Sequence, residues 1–256
     1  MDFIKVETDG PVTTVTLNRP EVMNAINPQM HQELQAAFDA FAADDGQFVC
    51  VVTGAGEKAF CAGSDLKAAD RHRGYPKCGY AGLIERFDLN KPLIAAVNGF
   101  ALGGGFEVVL ACDIVVAAST ATFGLPEPLV GAVALGGGVH RLARQIGLKK
   151  AMGMILSSRR VSAAEGERLG FVNEVVPPGD LKAATDRFVA EVLRGAPLAV
   201  RASKEAAMRG LDEPSLADAI KSQAVYPAFV AWRGGDDTKE GPRAFAEKRA
   251  PVWKGR

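Results

Sequence analysis

The sequence has no excess of charge of either sign. Its 256 residues include 30 Lys and Arg and 30 Asp and Glu, so the formal net charge at neutral pH is zero. Nucleic acids and anionic membranes are usually bound through a strong positive field, and the chain as a whole does not supply one. We therefore expect neither a nucleic acid nor a membrane as a partner.

Cysteine and histidine are scarce, and neither residue type is clustered. The residues concerned are Cys50, Cys61, Cys78 and Cys112, and His31, His72 and His140. The cysteines form no CxxC pair and have no metal-ligand spacing, so we interpret them as reduced and mostly structural thiols. The three dispersed histidines are typical of surface residues, and we predict no metal site.

The chain also lacks a long uninterrupted apolar run. Its most apolar stretch, residues 92–118, contains Asn98, Glu107, Asp113 and several glycines, so it is a poor membrane span. The first ten residues, MDFIKVETDG, have neither the basic and apolar regions of a secretory signal nor the composition of a transit peptide. The expected location is the cytoplasm.

Nucleotide-binding signatures are missing or incomplete. The sequence contains no GxxxxGK[ST] phosphate loop. Residues 54–59 match GxGxxA after a predicted strand, but Phe60 and Cys61 follow too soon for the long helix of a dinucleotide-binding unit. We therefore do not expect dinucleotide binding.

The hydrophobic pattern that is present indicates an α/β fold. Short apolar or β-branched runs typical of buried strands cover residues 12–17, 48–53, 93–97 and 114–117. After the first run, Asn27 and Pro28 open a helix in which Met30, Leu34 and Phe38 recur every four residues, down to about residue 43. Strands separated by helices predict a mainly parallel sheet.

The last quarter of the chain is predicted to be helical. Helices are expected over residues 180–193, 197–208 and 214–230, with no convincing strand between them. We therefore predict an α/β core of residues 1–195 and a helical region of residues 196–256. The stretch from Arg71 to Tyr80, with its basic, glycine and proline residues, is the best candidate for a mobile loop.

Glu107 is the most informative single residue. It is a lone carboxylate in an apolar stretch, directly after Gly103, Gly104 and Gly105. A buried carboxylate needs partners or becomes neutral, so packing alone does not explain one. Three glycines at the start of a helix let a ligand approach free N–H groups. The residues thus place hydrogen-bond donors beside a catalytic candidate.

Two further segments complete a predicted site. Residues 59–67 follow a strand and begin a helix near Asp65, which leaves the Ala62 N–H free at a turn. Together with a free N–H at the first turn of the helix over residues 103–107, this would make an oxyanion hole. In residues 123–128, Pro126 and Pro128 stiffen the backbone around Glu127, so Glu127 and Glu107 are predicted to flank one water molecule.

Neither nearby nucleophile fits a catalytic role of its own. Cys61 adjoins the predicted oxyanion hole, but the sequence places no histidine to activate it, so a packing role is favoured. Ser64 lacks the GxSxG context of a nucleophilic serine. The glutamates therefore remain the candidate catalytic groups.

Several segments also match one family pattern in the right order. They are Asn18-Arg19-Pro20, Asn24-Ala25, residues 59–67, 91–113 and 123–127, Gly136-Gly137-Gly138 with Arg141-Leu142, Ala163-Ala164 with Gly170, and residues 245–249. Over nearly its whole length the sequence resembles the enoyl-CoA hydratase/isomerase (crotonase) family. The resemblance implies a crotonase-like spiral of ββα units, followed by a C-terminal helical region that forms a trimer or a dimer of trimers.

The resemblance also implies a role for each matching site residue. Ala62 and Gly104 would hold the thioester oxygen of an acyl-CoA, while Glu107 and Glu127 would act as acid and base on water and the α-proton. The residues implied to bind coenzyme A are Ala59, Asp65, Leu66, Lys67, Phe245 and Lys248. Coenzyme A is then part of the substrate, and no separate cofactor is expected.

The reaction expected is the reversible addition of water to a trans-2-enoyl-CoA. Because both glutamates are present, a hydratase or dehydratase is favoured over an enoyl-CoA isomerase. Residues 125–133 look closer to carnitinyl-CoA dehydratase-like members than to the fatty-acid enzymes, and Ser64 stands where alanine is common. A non-catalytic crotonase-fold protein that binds RNA or acts as a scaffold is the alternative from a different class.

Overall fold

The structure is a computed structural model, and it describes residues 1–68 and 74–256. Within these residues the chain divides into two compact units. The first comprises Met1–Phe87 and Leu93–Arg187, and the second comprises Asp88–Pro92 and Phe188–Arg256. The division falls at residues 187/188, inside a helix, whereas the sequence pattern placed it at 195/196.

The first unit contains two sheets. Its strands are β1 Ile4–Asp9, β2 Val12–Leu17, β3 Val49–Gly54, β4 Ala59–Cys61, β5 Leu93–Val97, β6 Phe100–Leu102, β7 Ile114–Ala118, β8 Thr122–Gly124, β9 Val161–Ser162 and β10 Glu174–Val176. The larger sheet has the order β1-β2-β3-β5-β7-β10 and is parallel except for the β1–β2 pair. The smaller sheet has the order β4-β6-β8-β9.

The chain alternates between these sheets. A strand of the larger sheet is followed by a strand of the smaller sheet in the pairs β3–β4, β5–β6 and β7–β8. The helices of this unit are α1 Pro28–Ala43, α2 Gly104–Ala111, α3 Gly138–Ile146, α4 Leu148–Ser157, α5 Ala163–Leu169 and the start of α6 Leu181–Leu193. The pair β5–β6 leads into α2, and the pair β7–β8 leads into α3. Each of these is a ββα unit of the predicted kind.

Large aromatic side chains fill the centre of this unit. Phe106, Phe123 and Phe171 pack against one another with ring centroids 5.1–5.4 Å apart. Phe38 and Phe60 are also fully buried. Burying a side chain of this size stabilises the fold by roughly 1.5–3 kcal/mol. The strand ends beside this cluster therefore have a rigid support.

The second unit is helical, with one error in the predicted pattern. It contains the end of α6, α7 Pro197–Gly210, α8 Leu216–Ser222, α9 Pro227–Gly234 and α10 Asp237–Ala246. The single helix predicted over residues 214–230 is wrong, because Pro227 lacks an N–H and begins a new helix after a short 3-10 turn at Gln223–Val225. Glu205 ties α7 to α9 by accepting a 2.6 Å hydrogen bond from the Ala228 N–H.

Three other expectations change in the described residues. His31 is not a surface residue, since it is buried against the turn at Tyr80–Gly82. No helix begins near Asp65, where the chain makes a turn instead. The predicted mobile loop falls partly on residues 69–73, as does His72, and these lie outside the described residues; Tyr80 itself is 2% exposed. None of the helices described is long and apolar enough to cross a membrane.

Candidate active site

Three neighbouring parallel strands bring the predicted segments to one edge of the smaller sheet. β4 is parallel to β6, and β6 is parallel to β8. Residues 62–64 follow β4, Gly103 and α2 follow β6, and residues 125–127 follow β8. The carboxyl ends of adjacent parallel strands meet at the same edge, which is where ligands bind in many α/β proteins. The topology thus assembles a site from three segments that are separate in the sequence, between residues 62 and 127.

Glycines let two of these segments touch. Gly63 has φ +96°, and a Cβ on it would lie 2.9 Å from the Leu102 carbonyl oxygen and 3.3 Å from the Gly104 nitrogen. A Cβ on Gly105 would overlap the Cys61 carbonyl. Only residues without a side chain allow this approach. The turn after β4 therefore lies directly against the N-terminus of α2.

The prediction that Ala62 supplies a free N–H is wrong. The Ala62 N–H donates a 3.0 Å hydrogen bond to the carbonyl of Met23, a residue with φ +54°. A donor held by the backbone in this way is not available to a substrate. Ala62 is thus part of the turn rather than part of an oxyanion hole.

The free donor lies two residues further on, at Ser64. The Ile26 N–H donates to the Gly63 carbonyl at 2.8 Å, and the Asp65 N–H donates to the Ile26 carbonyl at 2.9 Å. This parallel bridge uses the groups on both sides of Ser64 and leaves its N–H without an acceptor among the described residues. Ser64 is also exposed, so a ligand can reach it.

Gly104 supplies the second donor. It is the first residue of α2, and in the described part of the chain its N–H has no acceptor. The N–H groups of a first helical turn carry the positive end of the helix dipole, which favours negative charge. Ser64 and Gly104 therefore form the pair of N–H groups that an oxyanion hole requires.

Glu107 lies one turn into α2 and is 3% exposed. Its Oε1 accepts a 2.8 Å hydrogen bond from the Gly138 N–H, and the Gly136 N–H also donates to the carboxylate. Burial raises the pKa of Glu107 to about 7, although these two N–H groups act in the opposite direction. Near neutral pH, Glu107 therefore exchanges a proton readily, as an acid or base should.

Glu127 begins a 3-10 turn, Glu127–Val130, at the end of β8. A Cβ on Gly103 would lie 2.9 Å from its Oε1, so the carboxylate lies beside the residue that caps α2. Burial raises the pKa of Glu127, and its charge in turn raises the pKa of Glu107. Its Oε2 is buried and has no hydrogen-bond partner among the described residues. The two carboxyls form an interacting pair with one oxygen left for a ligand.

Arg141 contributes a nearby positive charge. Its guanidinium donates a 2.6 Å hydrogen bond to the Ile84 carbonyl, and burial lowers its pKa. The charge of Arg141 lowers the pKa of Glu107 and so partly offsets the effect of burial on that carboxyl. This effect is smaller than that of burial, so the pKa of Glu107 stays above its usual value.

The alternative nucleophile near the site is inert. Cys61 is fully buried, and burial raises the pKa of its thiol to about 12. A protonated, buried thiol is a poor nucleophile. Over residues 1–68 and 74–256, no group of three or more His, Cys, Asp or Glu side chains is arranged to hold a metal ion.

Two of the residues implied to bind coenzyme A also have partners within the fold. Ala59 is 2% exposed, and its carbonyl accepts hydrogen bonds from the side-chain amides of Asn24 and Asn98. Asp65 pairs with Arg19 at 3.0 Å. The Ala59 side chain cannot reach a ligand, and Asp65 anchors the turn that carries the Ser64 donor.

The other four residues predicted to contact coenzyme A have exposed side chains. Leu66 and Lys67 are exposed just after the Ser64 turn. Phe245, at the end of α10, is 87% exposed, and Lys248 is also exposed. Each of these side chains is accessible to a ligand.

Sequence reasoning missed two residues of the site. The sequence context of Ser64 argues against a nucleophile, but it does not reveal that the Ser64 backbone N–H is the free donor beside α2. Tyr80 was assigned to a loop, yet its ring fills the place of a Gly104 side chain. An aromatic residue between Gly79 and Gly82, in the segment GYAG, is the signal that could have marked Tyr80 as tightly packed.

The chain is similar to known proteins over its whole length. A family profile described as enoyl-CoA hydratase/isomerase matches residues 7–256. Among curated proteins, carnitinyl-CoA dehydratase from Salmonella typhi is 42% identical over 261 residues, covering 100% of this chain and 99% of the relative. Carnitinyl-CoA dehydratase from Proteus mirabilis is 40% identical over 259 residues, covering 99% and 98%.

Solved structures of enoyl-CoA hydratases are also similar to this chain over its whole length. Enoyl-CoA hydratase from Mycobacterium tuberculosis H37Rv has a TM-score of 0.92 and 37% identity, with 100% of both chains covered. Enoyl-CoA hydratase from Bacillus anthracis has a TM-score of 0.89 and 34% identity, again with 100% of both chains covered. The expected α/β crotonase fold is confirmed, and this chain belongs to the enoyl-CoA hydratase/isomerase (crotonase) family.

Proposed function

We propose that this protein is an enoyl-CoA hydratase, which adds water reversibly to a trans-2-enoyl-CoA to give a 3-hydroxyacyl-CoA. The observation that carries the proposal is the pair of interacting carboxyls, Glu107 and Glu127, beside the free N–H groups of Ser64 and Gly104. Addition of water to an unsaturated thioester needs both parts. The N–H groups stabilise the enolate oxygen, and the carboxyls move protons.

The thioester oxygen binds between the Ser64 and Gly104 N–H groups. When water attacks C3, negative charge develops on this oxygen as an enolate. Fixed backbone donors stabilise the charge without having to reorganise, and the dipole of α2 adds to their effect. Removal of one such donor typically lowers kcat by about 10²–10³-fold.

The two carboxyls share one proton between them. During hydration the ionised member accepts a proton from the attacking water, and the protonated member delivers a proton to C2. The pair then still holds one proton in total, so the same protonation state serves dehydration. Because burial and the Glu127 charge raise the pKa of Glu107 to about 7, a singly protonated pair is expected near neutral pH.

We propose that the reaction needs no separate cofactor. Hydration moves only water and protons, and the two carboxyls and two N–H groups provide for both. Coenzyme A enters as part of the substrate, and we propose that Lys67 and Lys248 pair with its phosphates.

A second candidate reaction is the dehydration of a specialised acyl group such as that of carnitinyl-CoA. The observation that favours it is the 42% and 40% identity to two carnitinyl-CoA dehydratases over essentially the whole chain. The same acid–base pair and oxyanion hole would serve both reactions, so the acyl group alone distinguishes them.

We also propose that the chain assembles as a trimer or a multiple of it. The helical unit exposes several large apolar side chains, among them Leu211, Leu216, Ile220 and Val225. Exposed apolar groups of this number are typical of a surface that a partner covers. A second copy of the chain is the partner that a symmetric assembly requires.

A panel of thioesters tests the proposal. Purified protein is given crotonyl-CoA, a 3-enoyl-CoA and carnitinyl-CoA, and products are identified by mass spectrometry, with RNA retention on filters measured in parallel. We expect 3-hydroxybutyryl-CoA from crotonyl-CoA. Turnover of carnitinyl-CoA alone would indicate the specialised dehydratase instead. Turnover of the 3-enoyl-CoA alone would indicate an isomerase, and RNA binding without any turnover would indicate a binding protein.

A further inference from the structure

Tyr80 is a buried tyrosine whose hydroxyl lies beside the two residues that supply the N–H donors of the site. It belongs to the 3-10 turn Tyr80–Gly82 and is 2% exposed. The Ser64 hydroxyl donates a 3.3 Å hydrogen bond to the Tyr80 oxygen. A Cβ on Gly104 would overlap the Tyr80 ring and its hydroxyl. The phenol therefore touches both residues whose N–H groups form the oxyanion hole.

In the described part of the chain the Tyr80 hydroxyl has one hydrogen-bond partner, the Ser64 hydroxyl. Its oxygen accepts from Ser64, and its O–H is left to donate elsewhere. A buried tyrosine hydroxyl usually finds an acceptor, because leaving a polar group unpaired away from water is costly. A bound ligand that supplies an acceptor would explain why the fold leaves the Tyr80 O–H free to donate.

The ring is held in place by helix α1. His31 packs edge-to-face against Tyr80 with centroids 4.6 Å apart, and its Nδ1 accepts a 2.9 Å hydrogen bond from the Ala81 N–H. One turn along the same helix, Gln35 accepts a 2.9 Å hydrogen bond from the Cys78 N–H. The α1 side chains thus fix the turn on both sides of Tyr80.

The turn also has an unfavourable backbone conformation. Ala81 has φ +55°, which a residue with a side chain rarely adopts. Local strain of this kind persists only where surrounding contacts enforce it, and it is common at ligand sites. The strain and the two helix contacts together indicate that the position of the Tyr80 hydroxyl is pre-organised.

We propose that Tyr80 is a further catalytic residue, whose hydroxyl donates a third hydrogen bond to the thioester oxygen beside the Ser64 and Gly104 N–H groups. This inference rests on the proposed function, since it assumes an acyl thioester in the site. Burial raises the pKa of Tyr80 well above its usual value, so the phenol stays a neutral donor at any working pH. Its bond strengthens as the thioester oxygen becomes an enolate, because hydrogen bonds to charged acceptors are stronger.

The first test compares two tyrosine variants. Tyr80→Phe keeps the ring and removes the hydroxyl, and it is expected to lower kcat for hydration roughly 10- to 100-fold, since the lost bond is made to a charged group. Tyr226→Phe is the matched control, because Tyr226 is also buried and its hydroxyl donates to Glu213 at 3.0 Å within the helical unit. The control should keep wild-type kcat. Wild-type kcat in a folded Tyr80→Phe protein would overturn the proposal.

The second test does not depend on turnover. Acetoacetyl-CoA can bind as its enolate, which has its own ultraviolet absorption, whereas butyryl-CoA carries only a neutral thioester oxygen. Tyr80→Phe should weaken binding of the enolate roughly 10- to 100-fold and leave butyryl-CoA affinity within about threefold of wild type. Equal effects on both ligands would point to a structural role and contradict the proposal. This comparison holds even if the wild-type protein hydrates no enoyl-CoA, so the two failures can be told apart.

A third variant decides the matter if Tyr80→Phe does not fold. Ser64→Ala keeps the backbone N–H and removes only the hydroxyl that bonds to Tyr80. We expect a smaller loss of acetoacetyl-CoA enolate affinity, roughly 3- to 10-fold, with butyryl-CoA affinity unchanged. Unchanged enolate affinity in Ser64→Ala would then overturn the proposal.

Discussion

Replacing Glu107 by glutamine should lower activity and change the pH dependence of stability. The substitution keeps the shape of the side chain and one oxygen that can accept from the Gly138 N–H, whose present bond is 2.8 Å. It removes the group that exchanges a proton. General acid–base groups contribute about 10²–10⁴-fold, so kcat should fall by that factor while butyryl-CoA affinity is retained.

The stability effect follows from the sign of the pKa shift. Burial raises the pKa of Glu107 from 4.5 to about 7. Below pH 4.5 the carboxyl is protonated in both states and the shift has no effect. As pH rises from 4.5 through about 7, the unfolded chain loses this proton first, so folding becomes less favourable by up to roughly 3 kcal/mol. The contribution of Glu107 to stability is thus most favourable on the acidic side and least favourable above pH 7.

Glutamine has no such penalty, but its amide group faces the Gly136 N–H, which now donates to the carboxylate. Two N–H donors that face each other without an acceptor lower the free energy of unfolding by about 1–2 kcal/mol. We therefore expect Glu107→Gln to be less stable than wild type by about that amount at pH 4.5 and more stable by about 1 kcal/mol at pH 8. The sign of the difference in unfolding free energy reverses between the two pH values.

The assay is urea unfolding at fixed protein concentration at both pH values, together with kcat for crotonyl-CoA. Glu205→Gln is the matched control, since Glu205 is equally buried but binds the Ala228 N–H and Arg209 within the helical unit. It should lose stability at both pH values and keep kcat. A Glu107→Gln protein with wild-type kcat, or with the same stability difference at pH 4.5 and 8, would refute the reasoning.

Four further predictions concern other parts of the molecule. Burial lowers the pKa of His31 from 6.5 to about 4. Its contribution to stability, roughly 3 kcal/mol, should therefore be present above pH 6.5 and be lost as pH falls through about 4. In urea unfolding, the unfolding free energy of His31→Gln should vary less with pH than that of the wild type. Gly104→Ala should abolish hydration, because the added Cβ overlaps the Tyr80 ring; a folded, fully active variant would disprove the packing. Lys67→Ala and Lys248→Ala should raise KM for CoA esters but not for pantetheine thioesters that lack the nucleotide phosphates, and equal changes in both would exclude phosphate binding. Sedimentation of the intact chain should give a trimer or a multiple of it, whereas a stable monomer would exclude the assembly.

The residues that sequence reasoning found are those whose signal is local. Glu107 stood out because a lone carboxylate in an apolar stretch requires an explanation within a few residues. The helix from Pro28 and the strand Leu93–Val97 were predicted with their correct starts, because their hydrophobic patterns are strong. Glu107 and the start of α2 were therefore accessible without a structure.

The residues that it misplaced depend on partners far away in the chain. Whether the Ala62 or the Ser64 N–H is free is decided by Met23 and Ile26, about 40 residues earlier, and no local pattern contains that pairing. The position of Tyr80 likewise depends on His31, which accepts a hydrogen bond from the N–H of Ala81, 50 residues further along the chain. Backbone hydrogen bonds between distant segments are set by topology, so they appear only once the strands are paired.

Hydration of crotonyl-CoA in water enriched in both ¹⁸O and deuterium tests the central claim most directly. The proposed chemistry takes the oxygen at C3 from solvent and the proton at C2 from a carboxyl that exchanges with solvent. Mass spectrometry should find one ¹⁸O and one deuterium in the 3-hydroxybutyryl-CoA formed. Recovery of unlabelled crotonyl-CoA, or of a product with deuterium but no ¹⁸O, would contradict hydration by this site.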